Sequence, residues 1–311
     1  MLTIGQVGLG RWGTNIARTL QQDIANVQLV VADTPQQASA LTNQALDGVI
    51  IATPGSTHAK LALPFIQAGI PTFIEKPLTT SLADAKQLAD AAQASGALVL
   101  VGHIHLYNPA YHQTKQLVKK AGSIRSLYFE GMNNGPIRSD MSALWDWSPH
   151  DVAMAIDLMG QAPLTVQAWG QAILKPKTTR YDNVQLKLTF AHNVVAIINN
   201  SWLSPTKRKQ VTISGKKSIV VYDDATPQQK VTVYADMRAQ VRGQIAQERQ
   251  PTISHPAYGK KSPLELELCA FLHTIKTGQP PVTDLSHALQ VITILDAAER
   301  SIKRAGALMK L

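Results

Sequence analysis

Apolar and polar positions follow one pattern up to residue 102 and a different pattern beyond it. In the first part, short apolar runs alternate with segments of helical periodicity. The strands that this pattern predicts cover residues 2–7, 27–32, 48–52, 71–75 and 97–102. The predicted helices follow Gly13, begin near Pro35, and cover residues 57–68 and 82–94. Strands and helices that alternate at this spacing predict right-handed crossovers and a parallel sheet.

Beyond residue 102 the regular alternation of strand and helix weakens. One more helix is predicted up to Val118, and it ends near Gly122. Segments typical of an antiparallel sheet then cover residues 127–131, 184–190, 194–200, 210–214 and 218–222. Helical spacing returns at residues 263–276 and 285–305. We therefore predict a first domain at residues 1–120 and an α+β domain at residues 121–311, whose last helix, about 285–305, is able to pack back on the first domain.

Composition supports two folded domains. The chain has 311 residues, of which 45% are hydrophobic and 16% are charged, so a disordered chain is excluded. Its one cysteine, Cys269, excludes an intrachain disulfide framework and a cysteine-rich metal site. No apolar run approaches the length of a membrane span, and the N-terminus opens on a strand-like segment instead of a secretory leader. We expect a cytoplasmic protein with no metal and no membrane partner.

The formal net charge of +9 raises the question of nucleic-acid binding. The basic residues are scattered, however, with only short clusters at Lys207-Arg208-Lys209 and Lys216-Lys217. No recognisable nucleic-acid module accompanies them. A basic surface suits anionic small molecules such as dinucleotide phosphates or a nucleotide-sugar equally well. We expect no nucleic-acid partner.

A glycine-rich turn follows the first predicted strand and precedes a predicted helix. It has the pattern GxGxxG, with Gly8, Gly10 and Gly13 at the glycine positions and Arg11 and Trp12 between the last two. Gly8 would permit the tight turn, Gly10 would let the backbone approach a pyrophosphate, and Gly13 would let helix and strand pack closely. The phosphates would lie at the helix N-terminus. The sequence therefore predicts a dinucleotide-binding domain of the Rossmann type.

Asp33 lies at the end of the second predicted strand, where the adenosine ribose needs a hydrogen-bond acceptor. A carboxylate there would repel a 2′-phosphate, and Thr34 stands where an arginine would favour NADP. We therefore predict NAD as the cofactor, with NADP less favoured. The alternative is that Asp33 caps the helix that begins near Pro35. Both roles are compatible.

Two further groups of candidate residues follow predicted strands. Thr53, Pro54 and His58 come after the third strand and would border the nicotinamide, although histidines at helix starts are more often surface residues. Glu75 and Lys76 end the fourth strand, and Pro77 follows. Ligands of open α/β sheets bind beyond the carboxyl ends of the strands. Lys76 could therefore hold a substrate oxygen or act in proton transfer, and the alternative is an exposed loop lysine.

A second chemical cluster lies in the segment from residue 144 to residue 151. Ser148 can cap a helix with Pro149 at its first position, which places His150 in the first turn. That position favours a neutral imidazole, which can accept a hydroxyl proton. Asp146, four residues before His150, can reach the same site. The alternative is that His150 is a structural histidine of the capped helix start, with its hydrogen bonds satisfied there and no role in chemistry.

Together these motifs resemble the Gfo/Idh/MocA (glucose–fructose oxidoreductase/inositol 2-dehydrogenase) family over essentially the whole chain. The resemblance rests on the glycine turn, Glu75-Lys76-Pro77, the Asp146-x-x-x-His150 spacing and the C-terminal helix. Residues 144–151, Ser201-Trp202-Leu203 and Tyr222-Asp223-Asp224 resemble the branch of nucleotide-sugar 3-dehydrogenases. The family implies a Rossmann doubly wound parallel sheet, followed by an α+β domain with a large open, mostly antiparallel sheet. It also implies a tightly held nicotinamide cofactor and an oligomer interface on that second sheet.

The resemblance also implies roles for single residues. Lys76 would bind the reacting hydroxyl or relay its proton, His150 would be the general acid/base, and Asp146 would orient the sugar or the histidine. Tyr107 and Asn108 would border the nicotinamide and the substrate.

The expected function is that of an NAD(P)-dependent oxidoreductase acting on a secondary hydroxyl or ketone of a sugar, cyclitol or nucleotide-sugar. We expect a homodimer or homotetramer. The rival hypotheses are a non-catalytic NAD(H)-binding sensor and another reductase chemistry, such as imine or enal reduction, on the same fold.

Overall fold

The computed structural model describes residues 1–175, 178, 180–236 and 250–311, and the backbone of residues 240–242 and 245–247. The chain forms two compact units. The first contains Met1–Tyr107 and Lys261–Asp296, and the second contains Asn108–Lys260 and Ala297–Leu311.

The first unit is an α/β unit built around one sheet. Its strands and helices are β1 (Leu2–Val7), α1 (Arg11–Gln22), β2 (Val27–Ala32), α2 (Pro35–Leu41), β3 (Gly48–Ile51), α3 (His58–Gln67), β4 (Thr72–Glu75), α4 (Leu82–Ser95) and β5 (Val99–Gly102). Short 3₁₀ turns cover Gly55–Thr57 and Ile104–Tyr107. The five strands are all parallel, in the order β2-β1-β3-β4-β5. Every residue of β3, β4 and β5 is buried, as expected of a parallel sheet covered on both faces. The predicted doubly wound parallel sheet is confirmed.

The second unit is built around a larger sheet. Its elements, together with those of the C-terminal part of the chain, are α5 (Pro109–Ala121), β6 (Ile124–Asn134), α6 (Ala143–Asp146), α7 (Ser148–Met159), β7 (Thr165–Gln171), β8 (Asn183–Thr189), β9 (Val195–Ser201), β10 (Leu203–Gly215), β11 (Ser218–Asp223), β12 (Val231–Ala235), β13 (Gln240–Arg242), β14 (Ile245–Gln247), β15 (Thr252–Ser254), α8 (Pro263–Thr277), α9 (Leu285–Lys303) and β16 (Met309–Lys310). A 3₁₀ turn covers Ala191–Asn193.

Nine strands form this sheet in the order β15-β12-β11-β10-β6-β9-β8-β7-β16, and β13 pairs only with β14. The central pair β6 and β9 is parallel, and the other neighbours are antiparallel. Helix α7 packs on β6 and β9, and α6 packs on β8 and β9. The predicted open, mostly antiparallel sheet is confirmed. Strands β7, β12, β13, β14, β15 and β16 were not predicted.

The two units differ from the predicted domains in two places. Helix α5 belongs to the second unit, where it packs on β11 and β12 and Tyr111 meets Tyr222 edge to face, with ring centroids 5.8 Å apart. Residues 261–296 belong to the first unit, where α8 packs on α1 and Phe271 meets Phe73 edge to face at 5.8 Å. Side-chain packing, not chain order, decides both assignments.

In the part of the chain that the structure describes, no helix is both long and apolar enough to cross a bilayer.

Candidate active site

The glycine turn of the first unit has three glycines with different surroundings. Gly8 has a φ of +99°, and a Cβ atom there would lie 2.7 Å from the carbonyl oxygen of Ala52. A Cβ atom at Gly13 would lie 2.3 Å from the carbonyl oxygen of Gly8, so both positions need glycine for the fold itself. A Cβ atom at Gly10 would meet nothing within 4 Å. The fold makes no demand for glycine at this position, which opens on free space.

Helix α1 starts at this open space. Its N-cap, Gly10, provides no side-chain hydrogen bond, and the first turn contains no acidic residue. Arg11 is exposed, and Trp12 is 40% exposed. Unsatisfied N–H groups and the helix dipole make such an N-terminus suitable for a phosphate. The residues present therefore fit the pyrophosphate of a dinucleotide.

Asp33 follows β2 and lies beside the glycine turn. Its Oδ1 accepts a hydrogen bond from the backbone N–H of Leu9 at 2.8 Å. The cap of α2 is not Asp33 but Thr34, which forms a capping box with Gln37, so the alternative reading of Asp33 was wrong. Among the described residues no group is hydrogen-bonded to Oδ2 of this exposed carboxylate. That oxygen can accept a hydrogen bond from a ribose hydroxyl.

His58 connects the loops that follow β3 and β4. His58 is 1% exposed, so the alternative of a surface histidine was wrong, and its predicted place beside the nicotinamide stays a prediction. Its Nε2 lies 2.9 Å from the carbonyl oxygen of Thr53, and its Nδ1 lies 2.8 Å from the carbonyl oxygen of Pro77. Thr53 is half-buried, and Pro54 is exposed. His58 therefore holds the backbone of the loop after β3, at Thr53, and of the loop after β4, at Pro77.

Glu75 connects the glycine turn to the loop that begins with Lys76. Its Oε1 accepts a hydrogen bond from Nε1 of Trp12 at 2.5 Å, and its Oε2 accepts one from the backbone N–H of Lys76 at 3.2 Å. Burial raises the pKa of Glu75 to about 7, against the lowering effect of Trp12 and Lys76. Lys76 is half-buried directly beyond β4, so it is not a fully solvated loop lysine.

A second buried carboxyl group, Glu267 on α8, is affected by the charge of Glu75 and was missed by the sequence analysis. Glu267 is 0% exposed, and neither of its carboxyl oxygens has a hydrogen-bond partner among the described residues. Burial and the nearby Glu75 raise the pKa of Glu267 well above its usual value. The sequence did carry a signal, because Glu267 has helical spacing with the buried Leu264, Leu268 and Phe271.

Tyr107 and Asn108 have identifiable structural partners. The hydroxyl of the buried Tyr107 lies 2.9 Å from that of Thr283, and burial raises the pKa of Tyr107. Asn108 belongs to the second unit, where its Oδ1 caps α5 at the N–H of Ala110 and its Nδ2 donates to Asp224 at 3.2 Å. Their predicted contacts with nicotinamide and substrate stay predictions.

The second unit contains the Asp146–His150 cluster, at the junction of α6 and α7. His150 lies in the first turn of α7, as predicted, and is half-buried. Asp146 is half-buried, and its Oδ2 accepts a hydrogen bond from Nε1 of Trp202 at 3.2 Å. The predicted capping role of Ser148 was wrong. The N-cap is Trp147, and Ser148 instead donates its hydroxyl to Oδ1 of Asn200 at 2.6 Å, because that buried amide lies within its reach.

The cofactor candidates all belong to the first unit, at or beside the carboxyl ends of its parallel strands: Gly8, Gly10, Arg11, Trp12, Gly13, Asp33, Thr53, Pro54, His58, Glu75 and Lys76. The strand order places β1 next to β3, where the connections run in opposite directions, and ligands of such sheets bind at that point. The first unit therefore has the architecture of a dinucleotide-binding domain.

Comparison with known proteins places the chain in a family. Residues 21–103 match the oxidoreductase family with an NAD-binding Rossmann fold, and residues 136–309 match the C-terminal alpha/beta domain of the same family. The chain belongs to the Gfo/Idh/MocA oxidoreductase family, so the resemblance read from the sequence is confirmed. The glycine turn precedes the matched range.

Curated relatives include dehydrogenases of two substrate types. The chain is 26% identical to scyllo-inositol 2-dehydrogenase (NAD⁺) of Bacillus subtilis over 59% of this chain and 61% of that protein. It is 27% identical to UDP-N-acetylglucosamine 3-dehydrogenase of Acidithiobacillus ferrooxidans over 81% of this chain and 80% of that protein. Among solved structures, a protein of Magnetospirillum magnetotacticum MS-1 described as an oxidoreductase has a TM-score of 0.81 at 29% identity, over 95% of this chain and 99% of that chain.

Proposed function

We propose that the protein is an NAD-dependent oxidoreductase that transfers a hydride between nicotinamide and a secondary hydroxyl or ketone of a sugar, cyclitol or nucleotide-sugar. The observation that carries this proposal is the half-buried Lys76 at the end of β4, in the same sheet edge as a glycine turn that opens on free space at Gly10. The names of the relatives, an inositol dehydrogenase and a nucleotide-sugar dehydrogenase, support the substrate class.

The preference for NAD over NADP is argued from Asp33. One carboxylate oxygen holds the glycine turn at Leu9, and the other has no hydrogen-bond partner among the described residues. A carboxylate accepts a hydrogen bond from a ribose hydroxyl and repels a 2′-phosphate. The Bacillus relative is named as an NAD⁺ enzyme, which agrees.

Oxidation of a secondary alcohol needs a hydride acceptor, a proton acceptor and a group that holds the oxygen. Bound NAD supplies the hydride chemistry. We assign the general acid/base to His150, at the start of a helix, and the binding of the substrate oxygen or the relay of its proton to Lys76. Asp146, held by Trp202, would orient the sugar or His150. Tyr107 and Asn108 are kept as candidates that border the nicotinamide and substrate.

A coupled assay tests the proposal. Purified protein would be incubated with NAD or NADP and a panel of free sugars, inositols, sugar acids and UDP-sugars, and the absorbance of reduced nicotinamide would be followed. We expect turnover within one of these substrate classes and a higher kcat/KM with NAD than with NADP.

Binding of NAD without turnover on any member of the panel would contradict the proposal. That result would favour the non-catalytic sensor, and turnover on imines or enals alone would favour the other reductase chemistry. The Lys86→Met variant changes an exposed lysine on α4 and is the control for the loss of a lysine side chain outside the proposed site. We expect it to keep wild-type turnover.

For the assembly we keep the expectation of a homodimer or homotetramer formed through the sheet of the second unit. Tyr128 and Trp169 lie on the same face of that sheet and are 45% and 44% exposed. Exposed aromatic side chains on one face support an interface there. The cytoplasmic location likewise stays a prediction.

A further inference from the structure

The first turn of α7 is held by one amide side chain of the neighbouring strand β9. Asn200 is 0% exposed. Its Oδ1 accepts a hydrogen bond from the hydroxyl of Ser148 at 2.6 Å, and its Nδ2 donates to Oδ2 of Asp151 at 2.6 Å. The same Nδ2 lies 3.3 Å from the carbonyl oxygen of Gly131 and 3.2 Å from that of Asn199. These contacts fix the orientation of the amide, with Oδ1 toward Ser148 and Nδ2 toward Asp151.

Strand β6 leaves room for this arrangement. A Cβ atom at Gly131 would lie 2.5 Å from Nδ2 of Asn200 and 3.0 Å from Oδ2 of Asp151. Any larger residue at this position would displace the amide or the carboxyl group. The packing of β6, β9 and α7 therefore encloses the Asn200–Asp151 hydrogen bond tightly, and Asp151 is only 7% exposed.

The two residues that Asn200 binds are three positions apart in one helical turn. Side chains at such positions lie on the same face of a helix. Their two hydrogen bonds to one amide oppose rotation of the turn about the helix axis. We call these two hydrogen bonds the Asn200 clamp. His150 lies between Ser148 and Asp151 in the sequence, so the Asn200 clamp fixes the direction in which the Cα–Cβ bond of His150 leaves the helix.

We propose that Asp151 and Asn200 are positioning residues that fix the direction of the His150 imidazole, and that Asp151 also acts on His150 through its charge. This inference rests on the function proposed for His150.

Among the described residues, the amide of Asn200 on β9 and the charge of Lys209 on β10 act on the carboxyl group of Asp151. His150 is its neighbour in the same helical turn. Burial raises the pKa of Asp151 to about 7, against the lowering effects of Asn200 and Lys209. Asp151 therefore changes charge near neutral pH. Its carboxylate form favours the imidazolium that His150 would become on accepting the substrate proton.

Asp151→Asn is the direct test, because it keeps the shape of the side chain and an acceptor for Asn200 while removing the charge. In alcohol oxidation we expect the kcat/KM of the wild type to rise more steeply between about pH 6 and pH 8 than that of the variant. At the upper end the variant should be about tenfold slower. NAD affinity, measured by tryptophan fluorescence, should be unchanged.

Two controls separate charge from stability. Asp157→Asn changes a carboxylate on the same helix that binds Tyr111 and Lys115 at 2.7 Å, and it should lower the melting temperature while leaving the pH profile as in the wild type. Ser148→Ala removes one hydrogen bond of the clamp without removing a charge. It should lower kcat and leave the pH midpoint unchanged.

A wild-type pH profile in Asp151→Asn, with only a changed melting temperature, would reduce Asp151 to a structural residue and overturn the proposal. NMR titration of the His150 imidazole, assigned with a His150→Gln variant, gives a second test that needs no substrate. We expect the titration curve to move to lower pH in Asp151→Asn. An unchanged curve would overturn the inference even if the enzyme is active, whereas a shifted curve without turnover on the substrate panel would contradict only the proposed function.

Discussion

Glu75 of the first unit and Asp151 of the second are both buried carboxyl groups, and burial raises the pKa of each to about 7. Their partners differ in origin. Glu75 is bound by Trp12 of the glycine turn and by the backbone of its own neighbour Lys76. Asp151 is bound by Asn200, which lies 49 positions away in the chain.

This difference in partners shows that the two units bring their candidate site residues together in different ways. The first unit forms its candidate site from short motifs that each follow a parallel strand, so each motif can be recognised by itself. The second unit forms its cluster by packing the α6–α7 segment on strands β6, β8 and β9. A sequence motif indicates where such a cluster starts, and only the fold shows which side chains complete it.

The largest effects should come from the residues proposed to handle the substrate proton in each unit. Lys76→Met and His150→Ala should each lower turnover roughly 10²- to 10⁴-fold, the usual contribution of a placed proton-transfer group. Affinity for NAD should stay near the wild-type value. Steady-state kinetics and NAD titration by fluorescence measure both quantities.

Matched controls are Lys86→Met and His273→Ala, which change exposed side chains of α4 and α8. Both should keep wild-type turnover. Wild-type turnover in Lys76→Met or His150→Ala would remove that residue from the proposed mechanism.

An intermediate effect is expected for a substitution at Asp33, and it should be confined to the binding of the cofactor. Asp33→Ala removes the acceptor proposed for the ribose hydroxyl and should weaken NAD binding roughly tenfold, about the value of one hydrogen bond to a charged group. NADP binding should change less. Because Asp33 also binds the N–H of Leu9, Asp33→Asn is the control that keeps an acceptor for the turn. An unchanged ratio of NAD to NADP affinity would remove Asp33 from the ribose site.

The remaining effects concern the pH dependence of stability and leave the proposed chemistry aside. A glutamate of the unfolded chain titrates near 4.5, whereas Glu75 in the fold titrates near 7. Between these values the folded protein holds a proton that the unfolded chain has released, so the free energy of unfolding falls as the pH rises. Glu75→Gln removes this fall and should gain on the order of 1 to 3 kcal/mol relative to the wild type between pH 5 and pH 8.

Asp151→Asn should gain in the same direction, since the pKa of Asp151 is raised from 3.8 to about 7. Melting temperatures of the wild type and both variants across this pH range measure the effect. A difference between variant and wild type that does not change with pH would contradict the raised pKa of that group.

The glycine turn, Asp33 and Lys76 could be proposed from the sequence because their positions depend on the local backbone next to a strand. The predicted cap at Ser148 failed for a tertiary reason, since the hydroxyl is drawn to a buried amide on β9. The surface alternative for His58 failed because its two ring nitrogens contact backbone carbonyls of separate loops. Glu267 went unnoticed although its helical spacing placed it on a buried face.

By itself, the sequence determined the two-part α/β and α+β organisation and the family, and it allowed the strand-end residues to be proposed as a cofactor site. These follow from periodicity and from motifs of a few adjacent residues, which constrain the backbone locally. The tertiary structure decided that α5 joins the second unit and α8 the first, and that Asn200 binds Asp151. It also decided that the charge of Glu75 raises the pKa of Glu267. Such contacts depend on burial and on distances between residues far apart in the chain, and no local pattern encodes either.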